Sequence, residues 1–349
     1  SRPLTDTTGP TYNPRMRIGI TALASFAPDR IVTNDELAQT VDTSDEWIVS
    51  HTGIRERRIA EPGVAASDLA LAAGRLAIAQ RGITPNDIDL VLVATSTPDY
   101  TPFPASASIV QEKLGCEQAG AFDLQAGCTG FVYGIESARG FVAAGSIRRV
   151  LVVGSEVLSS ITNWSDRNTC VLFGDGAGAA IVEALDEAEP GEGAPGHEIL
   201  DSWLRSQGSG EEALMRRVAG SRVPYDPGVH TQADFFLTMD GRRVYLFAVD
   251  AIVKTVRALC ERQGVEPGDL DWIVPHQANL RIIEAAAKRI GLPAERFFTN
   301  LDRYANTSAA SIPIALVDMI EQNRVQPGQL VLTVGFGAGL TYGGNLVRW

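Results

Sequence analysis

The chain has 349 residues, 45% of them hydrophobic and 21% charged, which is ordinary globular composition and enough chain for two domains or one large double domain. A net charge of −12 argues against nucleic acid as the main ligand, and no apolar run approaches the roughly 18 residues of a membrane span. Four cysteines without CxxC spacing and four scattered histidines point to free thiols in a reducing cytosol and away from a metal site.

Residues 1–15 are polar and rich in Pro and Gly, with no apolar core of a signal peptide, and are expected to form a flexible leader. "RIGITALASF" then reads as the first strand. Next, "SDLALAAGRLAIAQR" carries apolar residues at three- and four-residue steps, so it is predicted helical, with Gly82 as its C-cap. "GITPNDIDLVLVATS" (82–96) follows and opens a strand. Beyond the strand "AFDL" comes a tight turn, "QAGCTG", and a helix starting at Gly130. "IRRVLVVGSE" (147–156) is another strand, and "FGDGAGAA" (173–180) suggests a phosphate loop but lacks its Lys-Ser/Thr, so it reads as a tight turn near the site or a dimer contact. From about 184 to 235 the pattern lapses into acidic, Pro/Gly-rich and irregular stretches, read as a connection that also covers the site.

The pattern then repeats. "GVEPGDLDWIVPHQA" (264–278) matches residues 82–96 without gaps at an offset of 182, again after a helical run, "FAVDAIVKTVRALCERQ". "PGQLVLTVGF" (327–336) matches 147–156 at nearly the same offset. The chain is therefore read as a duplicated α/β unit whose halves each carry a mixed, largely parallel sheet covered by helices.

Duplication gives Cys128 a meaning. It opens one helix, and its counterpart near residue 309 heads another, so two helix N-termini should face each other between the halves. Such a terminus offers unpaired N–H groups and lowers a thiol pKa, and Ala126, Gly127 and Gly130 leave room for a substrate. Cys116, Cys170 and Cys260 read as small packed hydrophobes. His276 follows a strand of the second half, where α/β sites collect, and Asn306 precedes the facing helix, either as a cap or as a functional group.

These residues sit in "VDTSDEWIVSHTGIRERRIA", "FDLQAGCTGF", "LFGDGAGAA", "VPHQANLRII", "RYANTSAASIPIAL" and "GFGAGLTYGGNLVRW". In that order, from about Met16 to Trp349, the motifs resemble β-ketoacyl-acyl-carrier-protein synthase III, the condensing enzyme that begins type II fatty acid synthesis. The resemblance implies a thiolase-like fold, its duplicated halves (16–190 and 241–349, joined by 191–240) layered as an α-β-α-β-α sandwich. It implies a cytoplasmic homodimer that condenses a short acyl-CoA, acetyl-CoA foremost, with malonyl-acyl carrier protein and needs no metal or other cofactor.

By the same resemblance Cys128, His276 and Asn306 are catalytic, and the backbone N–H groups of Cys128 and Ala338 form the oxyanion hole. Phe336 crowds the malonyl carboxylate, and Phe103 ends the acyl pocket across the dimer. Trp47, Arg167, Asn279 and Gly241 hold the CoA arm. Arg281, Lys288 and Arg289, on the helix after His276, form a basic patch for the acidic carrier protein. Two departures from the family stand out: Ala338 where glycine is common, and His51 where arginine is usual. Rival readings are a starter-unit condensing enzyme of a polyketide or other secondary pathway, a Cys-His acyltransferase that needs no decarboxylation and in which Asn306 and Phe336 are dispensable, a Cys-His thioesterase, and a binding module without catalysis.

Overall fold

A computed structural model describes residues 16–185 and 196–349. The leader expected at 1–15 and the middle of the acidic stretch lie outside these residues. The first half contains β1 (Ile18–Phe26), β2 (Ile31–Thr33), α1 (Asn34–Leu37), α2 (Asp45–Thr52), β3 (Glu56–Arg58), α3 (Ala66–Arg81), β4 (Leu90–Ala94), α4 (Ser106–Leu114), β5 (Gly120–Leu124), α5 (Gly130–Ala143), β6 (Arg149–Glu156) and β7 (Gly176–Ala184). The rest contains β8 (His197–Ser206), β9 (Leu214–Met215), β10 (Thr238–Met239), α6 (Gly241–Gln263), β11 (Trp272–Pro275), α7 (Leu280–Ile290), α8 (Leu301–Tyr304), α9 (Ser311–Glu321), β12 (Leu330–Gly337) and β13 (Thr341–Arg348).

The repeat is visible in local structure. Gly82 and Gly264 end α3 and α6 in the left-handed conformation, with φ of 74° and 65°, the position where a Cβ is penalised. Each is followed by a single 3₁₀ turn, Pro85–Asp87 or Pro267–Asp269, and then by β4 or β11. The nine main strands run β11-β12-β13-β8-β1-β7-β6-β4-β5, so β4-β6-β7-β1 mirrors β11-β12-β13-β8. Among the described residues the two series meet at two residue pairs, Gly19 with Glu198 and Ile20 with His197.

Three helical layers sandwich this pair of sheets. α3 and α4 cover the outer face of the first half, and α6 and α7 that of the second. Between the sheets α5 and α9 each touch strands of both halves. Each layer has its own apolar core: Leu69, Val91 and Val110 outside the first sheet, Phe131, Leu92, Ile312 and Val331 between the sheets, and Ile252, Ile283 and Leu332 outside the second. Among the described residues no helix is long and apolar enough to cross a membrane.

Two expectations need correcting. The sheet is mixed but not largely parallel: β4–β5, β4–β6 and β11–β12 are parallel, and the other five pairings are antiparallel. For one pair the reason is connection length. β12 and β13 are joined by a short hairpin, so that pair cannot be parallel, while the 19-residue passage from β6 to β7 returns antiparallel without a crossover α-helix. In addition, the segment expected only to connect and cover contains β8, which lies at the middle of the sheet between β1 and β13.

Candidate active site

Cys128 sits in a 3₁₀ turn, Gly127–Thr129, that leads from β5 into α5. The matching turn, Ser308–Ala310, leads into α9. The two turns touch: a Cβ built on Gly130 would lie 3.2 Å from the Ala309 Cβ. The end of β12 closes on the same turn. At Gly337 a Cβ would fall 2.7 Å from the Cys128 nitrogen, and at Gly127, with φ of 53°, it would fall 3.1 Å from the Ala338 nitrogen. Missing side chains at 127 and 337 thus bring the Cys128 and Ala338 backbones together. The Ala338 methyl shares in that approach, since a Cβ at Gly127 would also fall 3.2 Å from the Ala338 Cβ.

Cys128 lines a cavity of about 400 Å³ together with Ser96, Ser308, Ala338 and Thr341. The other three cysteines are packed among apolar side chains, as expected. The thiol departs from expectation in its ionisation. Burial pushes Cys128 up to about 12, with the nearby Glu156 carboxyl acting in the same direction, while hydrogen bonds from Ser308 and the Cys128 backbone act against it. The helix N-terminus alone predicts a lowered value, but removing water from a thiolate outweighs it.

His276 follows β11 and is 1% exposed. Its backbone N–H donates to Val334 of β12, its Nδ1 lies 2.7 Å from Ser311 Oγ, and its ring meets Phe336 edge-on with centroids 5.0 Å apart. Burial pushes this imidazole down to about 3, so it is neutral. Asn306 is held by main chain on both sides: its N–H donates to Leu172, its carbonyl accepts from Gly174, and its Oδ1 accepts the Ser308 N–H at 2.9 Å. The "FGDG" turn is therefore the clamp on Asn306, and Gly174 is needed there because a Cβ would fall 2.5 Å from the Tyr304 carbonyl oxygen.

A second cavity of about 210 Å³ is lined by Trp47, His51, Gly241, Asn279 and Asn306, and Phe173 and Leu214 line both cavities. Arg167 places its guanidinium 5.2 Å from the Trp47 ring, and His51 stacks on that ring with centroids 4.4 Å apart. The Asn279 side chain is engaged: Oδ1 caps α7 through the Arg281 N–H and Nδ2 donates to the His51 carbonyl.

Phe103 is not brought to either cavity in its own chain and stands 78% exposed. Arg281, Lys288 and Arg289 are all exposed on α7, with Arg289 paired to Asp250 of α6 at 3.1 Å. Sequence reasoning passed over Ser308, Ser311 and Glu156. The only signal for the serines was their place in "NTSAAS", beside Asn306. Among the described residues no cluster of His, Cys, Asp or Glu could hold a metal ion.

A duplicated, layered α/β fold with a cysteine at the head of one central helix and an asparagine beside the other defines the class of thiolase-like condensing enzymes. Family profiles described as 3-oxoacyl-[acyl-carrier-protein (ACP)] synthase III and its C-terminal part match residues 122–208 and 260–349. A curated β-ketoacyl-[acyl-carrier-protein] synthase III from Symbiobacterium thermophilum is 48% identical over 95% of this chain and 98% of its own. The solved synthase III of Thermus thermophilus is 42% identical with a TM-score of 0.85, covering 95% of this chain and 99% of that one. A priming β-ketosynthase from the R1128 polyketide pathway has the same TM-score at 35% identity, covering 99% and 98%. The chain belongs to the β-ketoacyl-acyl-carrier-protein synthase III family, and the polyketide alternative is not favoured.

Proposed function

We propose that this enzyme begins fatty acid synthesis by a decarboxylative Claisen condensation of a short acyl-CoA with malonyl-acyl carrier protein. Cys128 attacks the acyl-CoA thioester carbon and forms an acyl-enzyme, releasing CoA. The Cys128 and Ala338 N–H groups stabilise the oxyanion. Malonyl thioester then loses carbon dioxide, and the resulting enolate carbon attacks the acyl-Cys128 carbonyl, which releases the 3-ketoacyl product and the sulfur.

His276 and Asn306 donate to the thioester oxygen as enolate charge builds on it. Neutrality of the imidazole suits this role, because a cation would protonate the carbanion. Ser311 Oγ accepts the Gln277 N–H at 3.4 Å, which leaves its own proton for His276 Nδ1 and favours the Nε2–H tautomer as donor. The Phe336 ring, edge-on to His276, offers an apolar face to the malonyl carboxylate, which favours its loss.

The observation that carries the reading is the shared wall of the two cavities: Cys128 opens on one and Asn306 on the other, with Phe173 and Leu214 bordering both. The second cavity, with Trp47, Gly241 and Asn279, supports a CoA or phosphopantetheine arm that enters past Arg167. Arg281, Lys288 and Arg289 suit an acidic carrier protein. A second copy of the chain, supplying its own exposed Phe103, would bound the acyl end and favour acetyl-CoA. Substrate thioesters already activate the α-carbon, so no cofactor is invoked, and four free thiols suit the cytosol.

The test is intact-protein mass spectrometry after mixing with acetyl-, branched C5- and octanoyl-CoA. One acyl adduct, absent from Cys128→Ser and discharged by malonyl-acyl carrier protein, is expected. An adduct that persists in the variant would overturn the Cys128 mechanism.

A further inference from the structure

Glu156, the last residue of β6, is wholly buried and has no part in the chemistry above. Its surroundings consist of donors. The Ser96 N–H reaches both carboxyl oxygens at 3.1 and 3.0 Å, Thr97 Oγ1 donates at 2.8 Å and Thr95 Oγ1 at 3.3 Å. The Ser308 hydroxyl and the Ala309 N–H act in the same direction, favouring the ionised form. Backbone amides can only donate, so this site is built for an ionised carboxylate. Burial raises its pKa, which brings a carboxylate closer to the range of a useful base.

Ser308 touches Cys128 as well. Both residues line the same cavity, and the Ser308 hydroxyl acts to lower the Cys128 pKa. This position is held under constraint. Ser308 has φ of 48°, in the left-handed region that disfavours a side chain, and its N–H is tied to Asn306 Oδ1. The turn can lie against β6 because residue 154 is glycine, where a Cβ would fall 2.3 Å from the Ala309 carbonyl oxygen. Two residues further along the same strand stands Glu156.

The thiol needs a proton acceptor, and His276 is a poor one: its Nδ1 is engaged by Ser311 and its pKa is far below neutral. The other carboxylates near β6 are turned away. Asp175 binds Ala60 and Ser159, and Asp99 binds Ser67 and Ser106. Cys128 is close enough to Glu156 for the carboxyl to raise the thiol's pKa.

We propose that Glu156 accepts the Cys128 proton through Ser308 during acylation. The S–H proton passes to Ser308 Oγ as the Ser308 hydroxyl proton passes to the Glu156 carboxylate, giving a thiolate and a carboxylic acid. Sulfur bonds to the acyl carbon, the tetrahedral intermediate collapses, and the C–S bond to CoA breaks. The proton returns through Ser308 to the departing CoA thiolate, restoring the carboxylate. Glu156 acts through another residue and is a positioning and proton-accepting group, a role that rests on Cys128 as the nucleophile.

The test is the rate of Cys128 acylation by acetyl-CoA, quenched and read by intact mass from pH 6 to 10, in wild type, Glu156→Gln, Glu156→Asp and Ser308→Ala. Alkylation by iodoacetamide gives a substrate-independent second readout. Near neutral pH, Glu156→Gln and Ser308→Ala are expected to acylate at least about 100-fold more slowly, with the deficit closing as pH rises and hydroxide removes the proton instead. Glu156→Asp should recover part of the rate. A wild-type rate and pH profile in Glu156→Gln overturns the proposal. So does a faster rate, which would make Glu156 only a charge that repels the thiolate. Should Glu156→Gln fail to fold by circular dichroism, Ser308→Ala decides, since it keeps the carboxyl with its Ser96 and Thr97 donors. Absence of any adduct in wild type is a different result and removes the nucleophile assignment instead.

Discussion

His276 Nδ1 lies 2.7 Å from the hydroxyl of Ser311, the first residue of α9, so one central helix fixes the ring on β11's loop. Ser311→Ala frees the ring to turn. Discharge of acyl-Cys128 by malonyl-acyl carrier protein is expected to slow by about 10- to 100-fold in single-turnover measurements, with acylation by acetyl-CoA little changed.

The buried imidazole also sets a pH dependence of stability. Its folded value of about 3 lies below the roughly 6.5 of an unfolded histidine, so the unfolded chain binds the extra proton as pH falls. The contribution is therefore complete above about pH 6.5 and is lost progressively toward pH 3, at up to about 1.4 kcal/mol per pH unit. Urea midpoints measured from pH 7 to 4.5 should fall less steeply for His276→Asn than for wild type.

Asn306 Oδ1 is occupied by the Ser308 N–H, which leaves the amide nitrogen as the group available to substrate. Asn306→Asp keeps the acceptor and replaces the donor with negative charge. Condensation is expected to drop by at least about 100-fold, the scale of losing one oxyanion donor, while the acyl-enzyme still forms. Retained condensation would favour simple acyl transfer.

Trp47 carries His51 stacked on its ring and Arg167 near it. Removing the indole by Trp47→Ala should raise KM for acetyl-CoA by about 10-fold, a typical base-stacking loss. Acylation by a pantetheine thioester that lacks the nucleotide should not change, and that comparison separates a lost stack from a disturbed fold.

Gly154→Ala tests the joint between β6 and the Ser308 turn. A Cβ 2.3 Å from the Ala309 carbonyl oxygen must push that turn away. A loss of about 1–3 kcal/mol, read as a lower Tm, and a slower acylation step are expected.

The duplication was legible because it is written in local signals. Gly82 and Gly264, the Pro-x-Asp turns after them, and the strands that follow recur at one spacing, and each is decided by residues a few positions away. Strand direction was not legible. Alternating helices and strands suggest crossovers, but the β12–β13 hairpin and the passage from β6 to β7 have no periodicity that announces an antiparallel return. β8 was hidden in the same way, behind an acidic, Pro/Gly-rich approach.

By itself the sequence determined the repeat, the cysteine at a helix head, and the His and Asn motifs of the second half. Helix caps, turns and motif spacing are short-range properties, and they survive being read along a line. Only the tertiary structure decided that burial pushes the thiol up to about 12, that "FGDG" clamps Asn306, and that the Ser308 turn packs on β6 beside Glu156. Those facts depend on groups far apart in the chain. Desolvation and hydrogen bonding act through distance in space, and the glycines at 154, 174 and 337 take their meaning only from the backbone that packs against them.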